Sequence, residues 1–567
     1  MKQVIEEALQ KVTGEQQVFV EYPADPSHGD YATSVAMKLA KDKKANPREV
    51  AQEIVEVLSK DTNLSKSISK IEVAGPGFIN FTVATEALEE LLKTIADAPR
   101  GLLVAAYEGK KIMVEFTDPN PFKEFHIGHL YSNSVGESIA RLFELSGATV
   151  VRACYQGDVG MHVAKSIWGL TKKLEEDSID LATLSQKTLT DRIHYIGQAY
   201  AAGSAAYEDN PEVAEEIKLL NKRIYEKDAT IMDLYTMGRA WSLEYFESIY
   251  SRVGTKFDYY YFESEVGSEG VRIVKEYLDK GIFEESQGAI VFPGEKYGLH
   301  TRVFINKLGL PTYEAKELAL APRKYSQFPY DISVIVTANE IAEYFKVLLK
   351  ALSLIEPDLA SKTTHIPHGF VRLPEGKMSS RKGTIISGET LLNEAVNRVK
   401  KVAEESGSVP DEGTMEIVGL AAVKYALLKN TIGGNITFSF DESVAIHGNS
   451  GVYLEYTIAR ALSVSKKAAL DGSNHDIVRW GDTREEQALM HILPRFYETI
   501  EDAVKNYSPS TVATYLYALA NAYNSFYAAC PIVGSEYEHS RVILTKATAE
   551  ILKIGLFALG IPSVTSM

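Results

Sequence analysis

The pattern of apolar and polar positions divides this 567-residue chain into distinct stretches. Residues 1–100 read as a small α+β unit. SHGDYATSVAMKLAKDKKANPREVAQEIVEVL holds two helical stretches, and in the second Val50, Ile54, Val55 and Leu58 recur at helical spacing behind Pro47. Ile71–Val73 and Phe78–Val83 read as short strands around Gly75-Pro76-Gly77, and DAPRG (97–101) as a linker. A new pattern begins at Lys111. IMVEFT is a short buried strand, and the two prolines of DPNPFKEF keep the next residues out of a helix. The spacing of Leu130, Ile139, Leu142 and Phe143 predicts a helix over 127–145, stopped at Gly147, and TVVRACY reads as the next strand. Strand, loop, helix and strand form a βαβ unit, the nucleus of a doubly wound fold. Residues 165–250 look like an all-helical insertion. Short β-like runs return over 255–395 (AIVF, RVFI, ISVIVTA), and 411–567 is helical throughout. The expected fold class is α/β: a Rossmann-like parallel-sheet core over 106–400, a small α+β N-terminal domain over 1–100 and an all-α C-terminal domain over 411–567.

Composition narrows the class of protein. Hydrophobic residues make up 45% and charged residues 24%, as in ordinary soluble proteins. No apolar run reaches the roughly 18 residues needed to cross a bilayer, and MKQVIEEALQ lacks the apolar centre of a signal peptide. Membrane partners are therefore not expected, and a reducing cytoplasm is the expected compartment. The two cysteines, Cys154 and Cys530, make neither a disulfide framework nor a four-cysteine zinc site. The histidines are scattered, so no dedicated metal site is expected. A net charge of −16 argues against a non-specific nucleic-acid coat but leaves room for local basic patches that grip one folded RNA.

Two elements carry chemistry. His126-Ile127-Gly128-His129 lies where the first strand gives way to the first helix, so free N–H groups and a positive dipole end face an anion there. The two histidines add donors, and Gly128 removes a side chain where a ring or phosphate must approach the backbone. Some 250 residues later, Gly376-Lys377-Met378-Ser379-Ser380-Arg381-Lys382-Gly383 packs three cations and two hydroxyls between glycines, which suits a loop that closes over a polyphosphate.

HIGH followed by KMSSR resembles the signature of class I aminoacyl-tRNA synthetases. VEFTDPNPFKEFHIGHL, GDVG (157–160), GLPTYEAKELALA (309–321), GLAAVKYALLK (419–429), HGNSGVYLEYTIARALSVSKKA (447–468), FYAACPIV (526–533) and AGPGFINFTV (74–83) narrow the resemblance to the arginyl-tRNA synthetases, over essentially the whole chain. The resemblance implies ATP, L-arginine and tRNA(Arg) as partners, magnesium arriving with ATP, and activation that depends on tRNA. It makes 1–100 an additional tRNA-binding domain, 106–400 the catalytic domain and 411–567 the anticodon-binding domain, in a chain expected to act as a monomer. ATP falls to His126, Gly128, His129, Lys377, Met378, Ser379, Ser380 and Arg381, with His126, His129, Lys123 and Lys377 catalytic. Arginine falls to Glu115, Asp118, Asn120, His129, Tyr313, Glu317 and the position of Ile341.

The chemistry of those residues agrees. A buried guanidinium needs a carboxylate and flat partners, and Tyr313 and Glu317 lie four apart on one helix face. Glu115, pointing toward the HIGH loop, would hold an α-ammonium together with Asn120. For tRNA, Tyr453, Tyr456, Tyr523 and Tyr527 are candidates to stack on anticodon bases, and Asn80 and Phe81 to read an elbow base. The chain departs from the family twice, with Glu317 where Asp is usual and Ile341 where Gln is common. Lys123 is expected to replace the cation missing at Ser380, the position of the second lysine in KMSKS. The alternatives are a class I synthetase for another amino acid, a silent tRNA-binding paralogue and a small-molecule adenylyltransferase. A cysteine enzyme would bring zinc ligands, a glutamate pocket would want cations at Glu115 and Glu317, and an adenylyltransferase would not need the helical C-terminal part.

Overall fold

The computed structural model describes every residue except 24, 26, 27, 375–386, 408, 409, 472–477, 566 and 567. The chain divides into two compact units. One comprises Met1–Leu103, Thr457–Ile500 and Tyr515–Lys553, and the other Val104–Tyr456, Glu501–Thr514 and Ile554–Met567. The residues of the helical C-terminal stretch are thus shared between the units.

In the first unit a three-stranded antiparallel sheet has Phe78–Val83 at its centre, flanked by Tyr31–Thr33 and Ile68–Ala74. The short strand Tyr31–Thr33 lies inside a stretch that reads as helical from sequence; its three residues are all buried and give no alternation to detect. Helices Lys2–Thr13 and Pro47–Leu58 bury Ile5, Leu9, Ala51 and Leu58, and Ile79 and Phe81 fill the sheet side of the same core. The segment expected as a linker forms a 3-10 turn, Pro99–Leu102. Polar ties join this unit's early and late residues. The Tyr31 hydroxyl donates to Glu498 Oε1 at 2.9 Å, and Asp30 meets His491 Nδ1 at 2.5 Å.

The second unit is built on a five-stranded parallel sheet. In chain order its strands and main helices are β1 (Lys111–Glu115), α1 (Ile127–Leu145), β2 (Thr149–Gln156), α2 (Met161–Asp177), α3 (Leu189–Asp209), β3 (Tyr259–Phe262), α4 (Glu263–Asp279), α5 (Tyr313–Gln327), β4 (Ile332–Ala338), α6 (Ala342–Ile355) and β5 (Thr363–His368). The sheet order is β5-β4-β1-β2-β3. The chain leaves β1 toward β2 and later returns to β1's other side with β4. This creates a topological switch, where doubly wound folds open a crevice at the strands' carboxyl ends. Helix α1 and strands β2 and β4 fall where the apolar spacing predicts them. Met113, Ala153, Tyr155, Tyr261 and Ile335 pack on one sheet face with Ala315, Leu318, Phe345 and Leu348 of α5 and α6. Among the described residues no helix is long and apolar enough to cross a membrane.

Within the helical insertion, α2 and α3 cross closely. A Cβ on Gly169 would sit 2.0 Å from Ala199 O, and one on Gly203 would sit 2.0 Å from Lys165 O. Only hydrogens fit between these backbones. Overpacking typically costs about 1–3 kcal/mol, so Gly203→Ala is expected to lower the melting temperature clearly. Gly101→Ala, where nothing lies within 4 Å of the added carbon, should leave it unchanged. Equal melting of the two variants in a thermal scan would show that the helices do not need this approach.

Candidate active site

The loop after β1 holds three non-glycine residues at positive φ: Thr117 (80°), Asp118 (44°) and Phe122 (68°). Such conformations cost of order 1–3 kcal/mol each and persist only where the surroundings impose them. Here the surroundings are explicit. Thr117 N–H donates to Ser132 Oγ at 3.0 Å, and Asn133 Nδ2 donates to Thr117 Oγ1 at 3.0 Å. Asp118 Oδ1 accepts from Tyr155 N–H at 2.7 Å, and Phe122 N–H donates to Ser242 Oγ at 3.0 Å. The loop is anchored on α1, on β2 and on the helical insertion before it delivers the histidines.

His126 is the N-cap of α1. Its Nδ1 accepts from Gly128 N–H at 3.1 Å, while His129 Nδ1 accepts from His126 N–H at 3.3 Å. The rings stack with centroids 3.8 Å apart. This limits the donors that the two histidines can add. With Nδ1 used as an acceptor, a neutral imidazole has one N–H left, at Nε2. Burial, followed by the Lys123 charge, lowers the His126 pKa to about 4; burial, followed by His126, lowers that of His129 well below the usual range. Both rings are therefore neutral near pH 7 and present Nε2–H donors beside the positive end of the helix. The absent side chain of Gly128 makes room for the His126 ring itself, since a Cβ there would lie 2.9 Å from its Cε1.

A second group of charges lies on the sheet face packed by α5. Glu115 does not reach the HIGH loop. Successive strand side chains alternate, so Glu115 shares the face of Met113, where Lys324 Nζ donates to its Oε2 at 2.9 Å with both side chains at most 2% exposed. Lys316, also on α5, pairs with buried Glu263 at the start of α4. Asp118 and Glu317 have no cation partner among the described residues. Burial, then Glu115, pushes the Asp118 carboxyl well above its usual range, and the same causes push Glu317 up to about 8. A group of carboxylates in excess over its lysines attracts a cationic ligand.

Sequence models of three families match the chain: the class I (R) tRNA synthetase catalytic domain over residues 92–440, the arginyl tRNA synthetase N-terminal domain over 1–83 and the DALR anticodon binding domain over 454–567. The chain belongs to the arginyl-tRNA synthetases. The arginine–tRNA ligase of Fusobacterium nucleatum is 31% identical over 550 residues, covering 95% of this chain and 93% of its own. That of Parabacteroides distasonis is 29% identical over 558 residues, covering 94% and 92%. The solved Thermus thermophilus arginyl-tRNA synthetase shares the fold, with a TM-score of 0.83 over the whole of both chains at 22% identity. The activity is that of an arginine–tRNA ligase, and the class I synthetases use ATP as substrate.

Against that family, the other expected arginyl-tRNA synthetase residues take these places. Asn120 Oδ1 packs against Gly157, where a Cβ would lie 2.3 Å from it. Tyr313 opens α5 at 55% exposure, with Lys316 Nζ 4.9 Å from its ring centre, and Ile341 ends the 3-10 turn after β4, partly exposed. Lys123 Nζ sits 4.9 Å over the Tyr200 ring of α3. Lys377, Met378, Ser379, Ser380 and Arg381 lie outside the described residues, but Ser387 just after them pairs its backbone with His126. Phe81 and Tyr523 are fully buried core residues and Asn80 is nearly so, which removes their faces from base stacking. Tyr453 is half-buried, while Tyr456 and Tyr527 are 36% and 42% exposed, with the Arg460 guanidinium 4.8 Å over Tyr527.

The residues that sequence reasoning missed are Lys316, Lys324, Glu263, Tyr155 and the role of Asp158. Lys324 left a signal, falling two helical turns after Glu317 on one face of α5. Asp158 of GDVG is fully buried and accepts from Arg239 Nε at 2.9 Å and from Ser264 N–H and Oγ at 2.9 and 2.7 Å. It therefore holds the turn against the insertion and α4.

Losing one preorganised donor of this kind costs about 10²–10³ in kcat, and that loss is expected for His126→Ala and for His129→Ala. In Gly128→Ala the added methyl displaces the His126 ring, and at least about a tenfold loss is expected with melting unchanged. Steady-state aminoacylation with parallel melting curves measures both, and near wild-type turnover in the histidine variants would detach this turn from the chemistry.

Proposed function

We propose that L-arginine is activated in the crevice at the carboxyl ends of β1 and β4. The observation that carries this reading is the set Glu115, Asp118, Glu263 and Glu317, the first and third buried and the other two half-buried, whose carboxylates outnumber the lysines among them. The guanidinium and the α-ammonium meet the carboxylates, with Asn120 and Tyr313 as flat or polar neighbours. The substrate carboxylate attacks the ATP α-phosphorus, the bond to pyrophosphate breaks, and arginyl-adenylate results. The 2′-hydroxyl of the terminal tRNA adenosine then attacks the acyl carbon and AMP leaves. His126 and His129 offer Nε2–H donors to the phosphates. The second loop, from Lys377 to Arg381, lies outside the described residues and is assigned its cations from the KMSSR resemblance. Magnesium enters bound to the ATP phosphates and water.

In the same reading, residues 1–100 and 411–567 bind tRNA(Arg), and of the four candidate tyrosines Tyr456 and Tyr527 are the ones exposed for stacking. The chain acts as a monomer in the cytoplasm. Arginine is distinguished from other amino acids by binding alone, because a large charged side chain leaves buried carboxylates unpaired when it is absent.

Glu317→Gln is expected to raise the KM for arginine and leave that for ATP nearly unchanged, since truncating one partner of a buried charge pair costs roughly 2–5 kcal/mol. If the arginine KM does not move in ATP–pyrophosphate exchange with bulk tRNA, the guanidinium is read elsewhere. Lys123 lies close enough to the histidines to depress both pKa values. Lys123→Ala should cut kcat by about tenfold or more, because a charge-assisted contact is worth roughly 1.5–3 kcal/mol. Adding Ser380→Lys should recover part of that loss. Single-turnover activation equal to wild type in Lys123→Ala would rule out the compensation.

A further inference from the structure

The arginine pocket contains more acid than its ligand has charge to match. Glu115 and Glu317 act on Asp118, and Glu115 and Glu263 act on Glu317, which makes four carboxylates, while arginine brings two cations. The structure itself removes the surplus. Lys324 donates to Glu115 at 2.9 Å, and Lys316 is bonded to Glu263, with all four side chains buried. Asp118 and Glu317 remain without a cation among the described residues. We propose that Lys316 and Lys324 are specificity-determining, positioning residues of the arginine pocket. Each holds one surplus carboxylate, so that the two left over, Asp118 and Glu317, match the guanidinium and the ammonium of one arginine.

A second, independent observation points to a ligand in the same place. The Tyr155 hydroxyl is buried without a hydrogen-bond partner among the described atoms, and it lies among Glu263, Glu317 and Glu115. A buried hydroxyl left unpaired is costly, and a bound guanidinium would satisfy it. The inference rests on arginine occupying this pocket. It differs from the family resemblance, which assigns Glu115 to the substrate, because here the Glu115 charge is already engaged within the protein.

The lysines also set the pH range in which the pocket is ready. The groups that act on Glu317 come from each packed element: Glu115 at the end of β1, Asp118 in the loop after it, Tyr155 on β2 and Glu263 at the start of α4. Tyr344 on α6 and the two lysines of its own helix complete the set. Burial and Glu115 raise the Glu317 pKa to about 8, while Lys324 and Lys316 oppose them. A guanidinium binds the ionised carboxylate, so the KM for arginine should rise as pH falls below about 8 and level off above it. Removing the Lys324 charge leaves Glu115 unopposed, which raises the pKa further and moves the bend to higher pH.

The test is the pH dependence of the KM for arginine, and separately for ATP, in full-length wild type, Lys324→Met, Lys316→Met and Glu317→Gln, with bulk tRNA present. The expected result is a bend displaced upward by about one pH unit in Lys324→Met, less in Lys316→Met, with the ATP KM unchanged. Adding Glu115→Gln to Lys324→Met removes the opposing charge and should bring the bend back toward its wild-type position. A lysine with a purely structural role alters melting and leaves the bend in place. An unmoved bend in Lys324→Met overturns the proposal; if that variant does not fold, an unmoved bend in Lys316→Met does so. If Glu317→Gln leaves the arginine KM unchanged as well, the placement of arginine has failed. If Glu317→Gln raises the KM while the lysine variants do not shift the bend, only the charge-matching inference has failed.

Discussion

The Glu115–Lys324 ion pair joins the end of β1 to the last turn of α5 in a dry interior. Taking two charges out of water costs several kcal/mol per ion, recovered only when each finds its partner in good geometry. Such a contact tolerates little sliding. From Glu115 the chain runs straight into the strained loop and the HIGH turn, and from Lys324 back along α5 to Glu317 and Tyr313. The HIGH turn and the Tyr313–Glu317 stretch of α5 are therefore held in one register by an ion pair internal to the protein. The pair is evidence for geometric definition more than for net stability, because a buried ion pair roughly breaks even against an apolar one.

The HIGH turn depends on a different constraint. Its two imidazoles are held by backbone N–H groups at Nδ1, stacked, and kept neutral by burial. Neutral donors at a helix start attract a phosphate without competing with it for a counter-charge, and their fixed orientation avoids reorganisation during the reaction. Asp158, at the end of the neighbouring strand, supports the same crevice from the other side by bonding Arg239 of the insertion and Ser264 beside Glu263. A turn with the look of a ligand-binding motif is here a structural clamp.

Local periodicity was enough to identify the βαβ unit, the helix Ile127–Leu145 and the strands Ala289–Phe292, Arg302–Ile305 and Ile332–Ala338. Each depends on which neighbouring residues are apolar, and a chain segment carries that information by itself. The HIGH turn was legible for the same reason, as a motif at a strand-to-helix junction. The family followed from many such local motifs along one chain.

Tertiary structure decided the partners of the charges. Lys324 and Glu115 are 209 residues apart, and nothing local to either names the other. Their meeting depends on the strand order, which puts β1 at the centre of the sheet, and on the pleat, which turns Glu115 away from the helix that follows it in sequence. Phe81 and Tyr523 were read as base-stacking candidates because an aromatic ring suits both a core and a surface, and only the packing around them closes their faces. Sequence determined which residue types the chain places near this site; the crossing of elements far apart in the chain determined which carboxylates are paired with a lysine and, among the described residues, which are not.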